Sequence, residues 1–295
     1  MSVLSCIYVC ISISLSLSIY IYKRLYISSH SFADSCQLTA HLVVCLSVCL
    51  SVCQSVCVLI GAAMDNYVEQ ISGGAFPPLK SPCNSCISGV SGSGKTTLVH
   101  KILMFKDDIY DKAVHEILYC MSVDQPLFAA MKRNVTGIKF RRGIPSEEDL
   151  NIFTDGSRHC IVVLDDLMEE VVKSVEAQNL FTKFAHHKSI SVLFIAQNLY
   201  PQGKCSRNLS MNTHYFFILC NPRDISQINI LAKQTGLGDT LKNSYRDCVL
   251  KKAYGYQLIS LHPADISKQL TEKTPRLQAR IFTNIFPGEN LITYV

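Results

Sequence analysis

The segment SGVSGSGKTTLVH, Ser88–His100, constrains the fold more than any other part of this 295-residue chain. Gly89 is followed by four residues and then by Gly94, Lys95 and Thr96. Glycines at that spacing let a loop curl until successive backbone N–H groups point at one anion. A helix starting at the end of the loop aims its positive dipole end at the same point. The preceding NSCIS, Asn84–Ser88, suits a short strand. Beyond the loop, Leu98, Val99, Ile102, Leu103 and Phe105 recur at helical spacing. Strand, glycine-rich loop and helix together make a phosphate-binding loop, G-x-x-x-x-G-K-T. A chance match arises about once in a hundred chains of this length, so the flanking elements decide.

The loop supplies a nucleotide-binding set: Gly89, Val90, Ser91, Gly92, Ser93, Gly94, Lys95, Thr96 and Thr97. In such a loop Lys95 reaches the β- and γ-phosphates of ATP, and the Thr96 hydroxyl ligates Mg²⁺. A partner for that metal stands in CIVVLDDLMEE, Cys160–Glu170. Its apolar run reads as a strand buried on both faces. The run ends in Asp165-Asp166, and ligands bind at the carboxyl ends of parallel strands. Asp165 is the second Mg²⁺ residue, through a water, and Asp166 the group that orients or deprotonates the attacking water. An aspartate before a helix also suits an N-cap, and one of the two is free to take that role.

Downstream, Met168–Ala185 has its apolar residues on one face and predicts a single helix. SISVLFIAQN, Ser189–Asn198, is another buried strand, ending in Gln197, whose amide suits either hydrogen bonding to the attacking water or a simple loop. A strand at Tyr215–Cys220 and a helix carrying Ile225, Ile228 and Leu231 follow. YGYQLISL and RLQARIF, in the segment after 237, read as further strands. KRNVTGIKFRRG, Lys132–Gly143, is basic with one aromatic and reads as a solvated face or a DNA-phosphate contact. His186 and His187, at a helix end, suit capping or solvent exposure.

The first sixty residues differ in kind. VCLSVCLSVCQSVCVL, Val44–Leu59, repeats every four residues, as a translated TCTG tetranucleotide would. ISISLSLSIYIY, Ile11–Tyr22, is what TC and TA runs encode. Residues 1–63 therefore read as translated microsatellite, with Met64 the expected start. Val3–Tyr22 and His41–Ala63 are also long enough, and free enough of charge, to span a bilayer if they are made. Lys23, Arg24 and Asp34 are the only charged residues before Met64, which leaves 26 basic against 22 acidic after it. That mild positive balance is compatible with a nucleic-acid partner. Seven of the 14 cysteines follow Met64, singly within apolar runs, as reduced thiols of an intracellular protein would be. Cys83 and Cys86 form a C-x-x-C with no second pair at zinc spacing, and read as strand residues.

The loop, the VVLDD strand, SVLFIAQN and SRNLSMNTHYFFILCNPRD, which runs to Asp224, resemble the genome-packaging ATPases of large DNA viruses. The likeness is greatest to the poxvirus-type packaging ATPase of Polinton (Maverick) elements and adintoviruses, in the FtsK–HerA division of P-loop ATPases. It covers Pro77 to Leu237. The resemblance implies an α/β fold with a RecA-like P-loop NTPase core, a mostly parallel sheet with helices on both faces. It implies an extra strand between the two Walker strands, for which Ile117–Met121, ILYCM, is available. It implies a homo-oligomeric ring in which one subunit's arginine completes its neighbour's ATP site, with Arg207 the best match and Arg223 the second. Double-stranded DNA and capsid proteins are the implied partners, and nucleus or cytoplasm the implied location. The family's usual Asp-Glu is Asp165-Asp166 here.

The expected organisation is 1–63 low complexity, 64–82 lead-in, 83–237 ATPase core and 238–295 strands completing or appended to it. A helicase or remodeller on the same core, a P-loop small-molecule kinase and an unexpressed virus-derived remnant are the other readings. The glutamine-ended strand favours the packaging motor over the helicase. A small-molecule kinase usually needs a mobile arginine-rich lid and lacks a long buried strand followed by a second carboxylate, as at Asp165-Asp166.

Overall fold

Strands that are buried from end to end need cover on both faces, and this chain has five of them among its described residues. The computed structural model describes residues 70–72, 76–203, 205–223, 225–250, 252–267 and 280–294. The expectations for residues 1–63, and for 64–69 and 73–75 of the lead-in, lie outside the described residues. Ten strands form one sheet. They are β1 (Gln70–Ser72), β2 (Asn84–Ser88), β3 (Glu116–Met121), β4 (Ile138–Arg142), β5 (Cys160–Asp165), β6 (Ile190–Ala196), β7 (Tyr215–Leu219), β8 (Tyr256–Ser260), β9 (Arg280–Thr283) and β10 (Ile292–Tyr294). Their order is β1-β10-β9-β8-β7-β2-β6-β5-β3-β4. From β7 to β4 all pairings are parallel. From β7 through β8, β9 and β10 to β1 they are antiparallel.

The period of two divides each central strand between two helical layers. Ile87, Ile161, Val163, Leu193 and Ile195 face one layer, which holds α1 (Lys95–Met104) and α2 (Pro126–Asn134). Cys86, Val162, Leu164, Val192 and Phe194 face the other. That second layer holds α3 (Met168–Lys173), α4 (Val175–Asn179), α5 (Ser206–Met211), α6 (Ile225–Thr235) and α7 (Gly238–Tyr245). The mostly parallel α/β sheet with helices on both faces is thus as expected.

Two expectations are corrected. Ile117–Met121 does form a strand, but β3 lies beyond β5, and β6 occupies the place between the loop strand β2 and the carboxylate strand β5. The chain leaves β5, crosses the second layer and returns on the β2 side, so chain order does not give spatial order. The single helix over Met168–Ala185 is broken. Ser174 is extended (φ −85°, ψ 133°), and its hydroxyl accepts from the Ala177 N–H at 3.0 Å, starting α4 afresh. A π-helical turn follows at Leu180–Phe184. Val171, Val172, Leu180, Phe181 and Phe184 remain buried across the break, whereas Val175 turns out to 63% exposure.

All seven cysteines after Met64 are free, and all but Cys220 are buried. Burial pushes the thiols of Cys83, Cys86, Cys120 and Cys248 up to about 12, which leaves them unreactive.

Candidate nucleotide-binding site

β2 runs directly into the loop. A Cβ on Gly89 would lie 2.6 Å from Ser93 Oγ and 2.9 Å from Leu219 Cβ, so only glycine lets the loop fold this tightly. Gly94 takes φ +94° and starts α1 without a side-chain cap, and the first turn of α1 holds no acidic residue. The helix end is therefore left to an external anion. The Gly89 N–H donates to Ala196 O and the Val90 N–H to Cys220 O, which ties the loop to the ends of β6 and β7.

Lys95 is folded back across the loop. Its Nζ donates to Gly89 O at 2.7 Å and Val90 O at 2.9 Å. Burial lowers its pKa, while the nearby Asp165 and Asp166 charges oppose that shift. The loop carbonyls hold the ammonium where a phosphate would otherwise receive it.

Asp165 closes β5. By alternation with Ile161 and Val163 its side chain faces the α1 layer, and it is only 3% exposed. The Tyr119 hydroxyl donates to Oδ2 at 2.7 Å, and the nearby Thr96 hydroxyl favours the ionised carboxylate. Burial is the largest influence and raises the Asp165 pKa above its ordinary value. Tyr119 is set by an aromatic triangle with Phe128 of α2 and Phe140 of β4, at centroid distances of 5.1 to 5.3 Å.

Asp166 takes φ +56°, a left-handed conformation that aspartate tolerates. The turn sends the two neighbouring carboxylates apart, Asp165 inward and Asp166 into the open. The Ser122 hydroxyl donates to Asp166 Oδ2 at 3.1 Å. Neither aspartate caps a helix: α3 starts after Leu167 and has no side-chain cap. The N-cap alternative is thereby removed.

These groups share a cleft of about 1020 Å³. Ser91, Gly92, Gly94, Lys95, Thr96 and Thr97 form its floor, and Asp165, Asp166 and Gln197 stand on one side. Residues 252–256 and 283–289 contribute the wall on the other. Thr96 and Asp165 offer hard oxygen donors side by side, which suits Mg²⁺. Arg207, on α5, and Arg223, ahead of α6, are both exposed and do not line the cleft. Much of the basic Lys132–Gly143 stretch is matched by this chain's own acids. Lys139 pairs with Glu116 at 2.8 Å, Arg142 with Asp124 at 2.9 Å, and Arg141 with Asp149. His186 and His187 end a short helix and are exposed.

Sequence reasoning missed Tyr119, Ser122 and the 252–256 wall. One signal was present: a tyrosine inside a fully buried strand needs a partner for its hydroxyl, and Tyr119 points at the strand that ends in Asp165. Among the described residues no helix is long and apolar enough to cross a membrane.

No protein-family model and no curated protein matches the chain. Among solved structures it is similar to the genome packaging NTPase B204 from Sulfolobus turreted icosahedral virus 2 in complex with ATP-gammaS. The identity is 7%, the match covers 61% of this chain and 93% of that one, and the TM-score is 0.43. The same NTPase in complex with AMPPCP gives 9% identity, 61% and 93% coverage, and a TM-score of 0.40. EssC (ATPases 2 and 3) from Geobacillus thermodenitrificans gives 12% identity, 72% and 39% coverage, and a TM-score of 0.37. The chain thus spans well under half of that EssC chain.

Proposed function

We propose that this protein is a Mg²⁺-dependent ATP hydrolase that works as a double-stranded-DNA translocase, packaging viral or transposon DNA into capsids. The observation that carries the reading is one juxtaposition. A phosphate loop ending in Thr96, the buried Asp165 and Gln197 meet in one cleft, with the Gln197 strand between the other two.

Each residue then has a step. The loop N–H groups and the N-terminus of α1 take the phosphates, and Lys95 leaves the Gly89 and Val90 carbonyls for the β- and γ-oxygens. Thr96 and Asp165 would hold Mg²⁺, which when bound would offset charge on the triphosphate. Gln197 and Asp166 orient a water in line with the γ-phosphoryl group, and Asp166 Oδ accepts its proton. Water oxygen bonds to phosphorus, the bond to the ADP oxygen breaks, and ADP and phosphate leave. Ser122 holds the short Asp166 side chain in place of the longer glutamate usual in the family.

The translocase part rests on the resemblance of Asp165–Asp224 to the packaging ATPases. In that reading subunits form a ring inside the cell and Arg207, exposed on α5, enters the neighbour's site. A guanidinium placed there is worth about 10³–10⁵ in rate. The test mixes Arg207→Ala protein with Lys95→Ala protein. Regained activity at interfaces pairing an intact loop with an intact arginine, rising with protein concentration and with double-stranded DNA, is the expected result. A mixture no more active than its parts, with wild type equally active at every dilution, would overturn the shared site.

A further inference from the structure

The triphosphate reading leaves half of the cleft unused. Asp165, Asp166 and Gln197 stand together, so the γ-phosphate end of a bound nucleotide faces them. Its nucleoside end must leave the loop toward the opposite wall, which residues 252–256 and 283–289 build.

Tyr254 is the prominent side chain of that wall. It is 74% exposed although it lines the cleft. Its ring lies against the loop's last glycine, with Cδ1 3.2 Å from where a Cβ on Gly94 would be. Its backbone sits at φ +56°, a conformation bulky residues rarely adopt and one that clusters at ligand sites. The wall is pinned to the helix that receives the phosphates. Lys101 of α1 pairs with Glu289 and lies 4.1 Å over the Phe286 ring. Phe105 and Phe286 pack at 6.0 Å, and the Tyr256 hydroxyl accepts from the Ile285 N–H at 2.9 Å. The 285–289 part of the wall, which also bonds Tyr256, is therefore held against α1 by packing.

We propose that Tyr254 is the base-stacking residue of this site: its ring forms a platform for the purine of a nucleoside triphosphate. The inference rests on the phosphate-loop reading and extends it to the segment after residue 237. A ring face stacks on any base and most strongly on a purine, so Tyr254 selects purine over pyrimidine without separating adenine from guanine.

The experiment measures Mg²⁺-dependent binding of ATP and of inorganic tripolyphosphate to the full chain by calorimetry. Tyr254→Asn removes the ring while tolerating the left-handed backbone, and Tyr254→Phe keeps the ring. Tyr254→Asn is expected to weaken ATP on the order of tenfold, to leave tripolyphosphate unchanged, and Tyr254→Phe to bind both as wild type does. ATP binding unchanged in Tyr254→Asn, or both ligands weakened equally, would overturn the proposal. Lys95→Ala separates the two readings. It should lose both ligands, and its keeping both would refute the phosphate loop itself, whatever Tyr254 does.

Discussion

The six parallel strands and the four antiparallel ones belong to one sheet but do different work. β2, β5 and β6 are buried on both faces, and their carboxyl ends meet at the floor and charged side of the cleft. There the chain holds a partly buried lysine and a buried carboxylate whose ionised forms are both disfavoured by burial. On the antiparallel side, the connections before β8 and after β9 supply an aromatic wall with Tyr254 and Phe286. The difference teaches a division of labour. Strand ends fix the groups proposed to meet phosphate and metal, and connecting loops shape the space beyond them.

The sharpest way to break that comparison is Asp165→Asn. Turnover should fall to background because the metal loses its carboxylate, while the ligand-free protein becomes more stable. The sign follows from the raised pKa. The folded state holds a proton on Asp165 at pH values where the unfolded chain has already released it, so this group's contribution to stability falls as pH rises from 3.8 through the raised folded value. Removing the charge removes that cost, and a melting curve near neutral pH should shift upward by a few degrees. Wild-type Mg²⁺ affinity should likewise weaken on acidification at a higher pH than an ordinary carboxylate would give. A variant that is both inactive and less stable would place Asp165 among purely structural residues.

Asp166→Asn comes next. It should leave Mg²⁺·ATP bound and slow hydrolysis by about 10²–10⁴, measured as single-turnover rate against nucleotide affinity. Asp166→Glu should keep or raise the rate. Normal hydrolysis in Asp166→Asn beside a dead Asp165→Asn would mean that the two roles are reversed.

Tyr119→Phe is expected to have the smallest effect. Only the hydroxyl that donates to Asp165 is lost, and the aromatic triangle with Phe128 and Phe140 keeps its packing. The Mg²⁺ concentration needed for half-maximal turnover should rise several-fold, with kcat little changed and melting temperature near wild type. A collapse of kcat with unchanged Mg²⁺ dependence would remove Tyr119 as a positioning residue.

The parallel half was legible because its signals are local. The glycine spacing from Gly89 to Gly94, the apolar run ending at Asp165 and the run ending before Gln197 each declare an element and its end. Spatial order was not local. Nothing within ILYCM distinguishes a strand inserted between β2 and β5 from one outside β5, and the crossover through the second layer decides it. The break at Ser174 was hidden because the apolar spacing runs on across it, while one serine hydroxyl restarts the helix. The left-handed turn at Asp166 and the contact of Tyr254 with Gly94 were also out of reach. Both are consequences of tertiary packing, and aspartate and tyrosine carry no sequence mark for them. Of the proposed nucleotide site, then, the floor and the charged side could be read in advance and the aromatic wall could not.

The most direct test of a Mg²⁺·ATP site built on this loop is steady-state phosphate release by the full chain and its Lys95→Ala variant, each with and without Mg²⁺. Wild type should release phosphate only with the metal. Lys95→Ala should stay at background in both conditions, because the loop from Gly89 to Thr97 has lost its one cation. Phosphate release by Lys95→Ala equal to wild type would contradict the assignment of the loop, and with it the roles given to Asp165, Asp166 and Gln197.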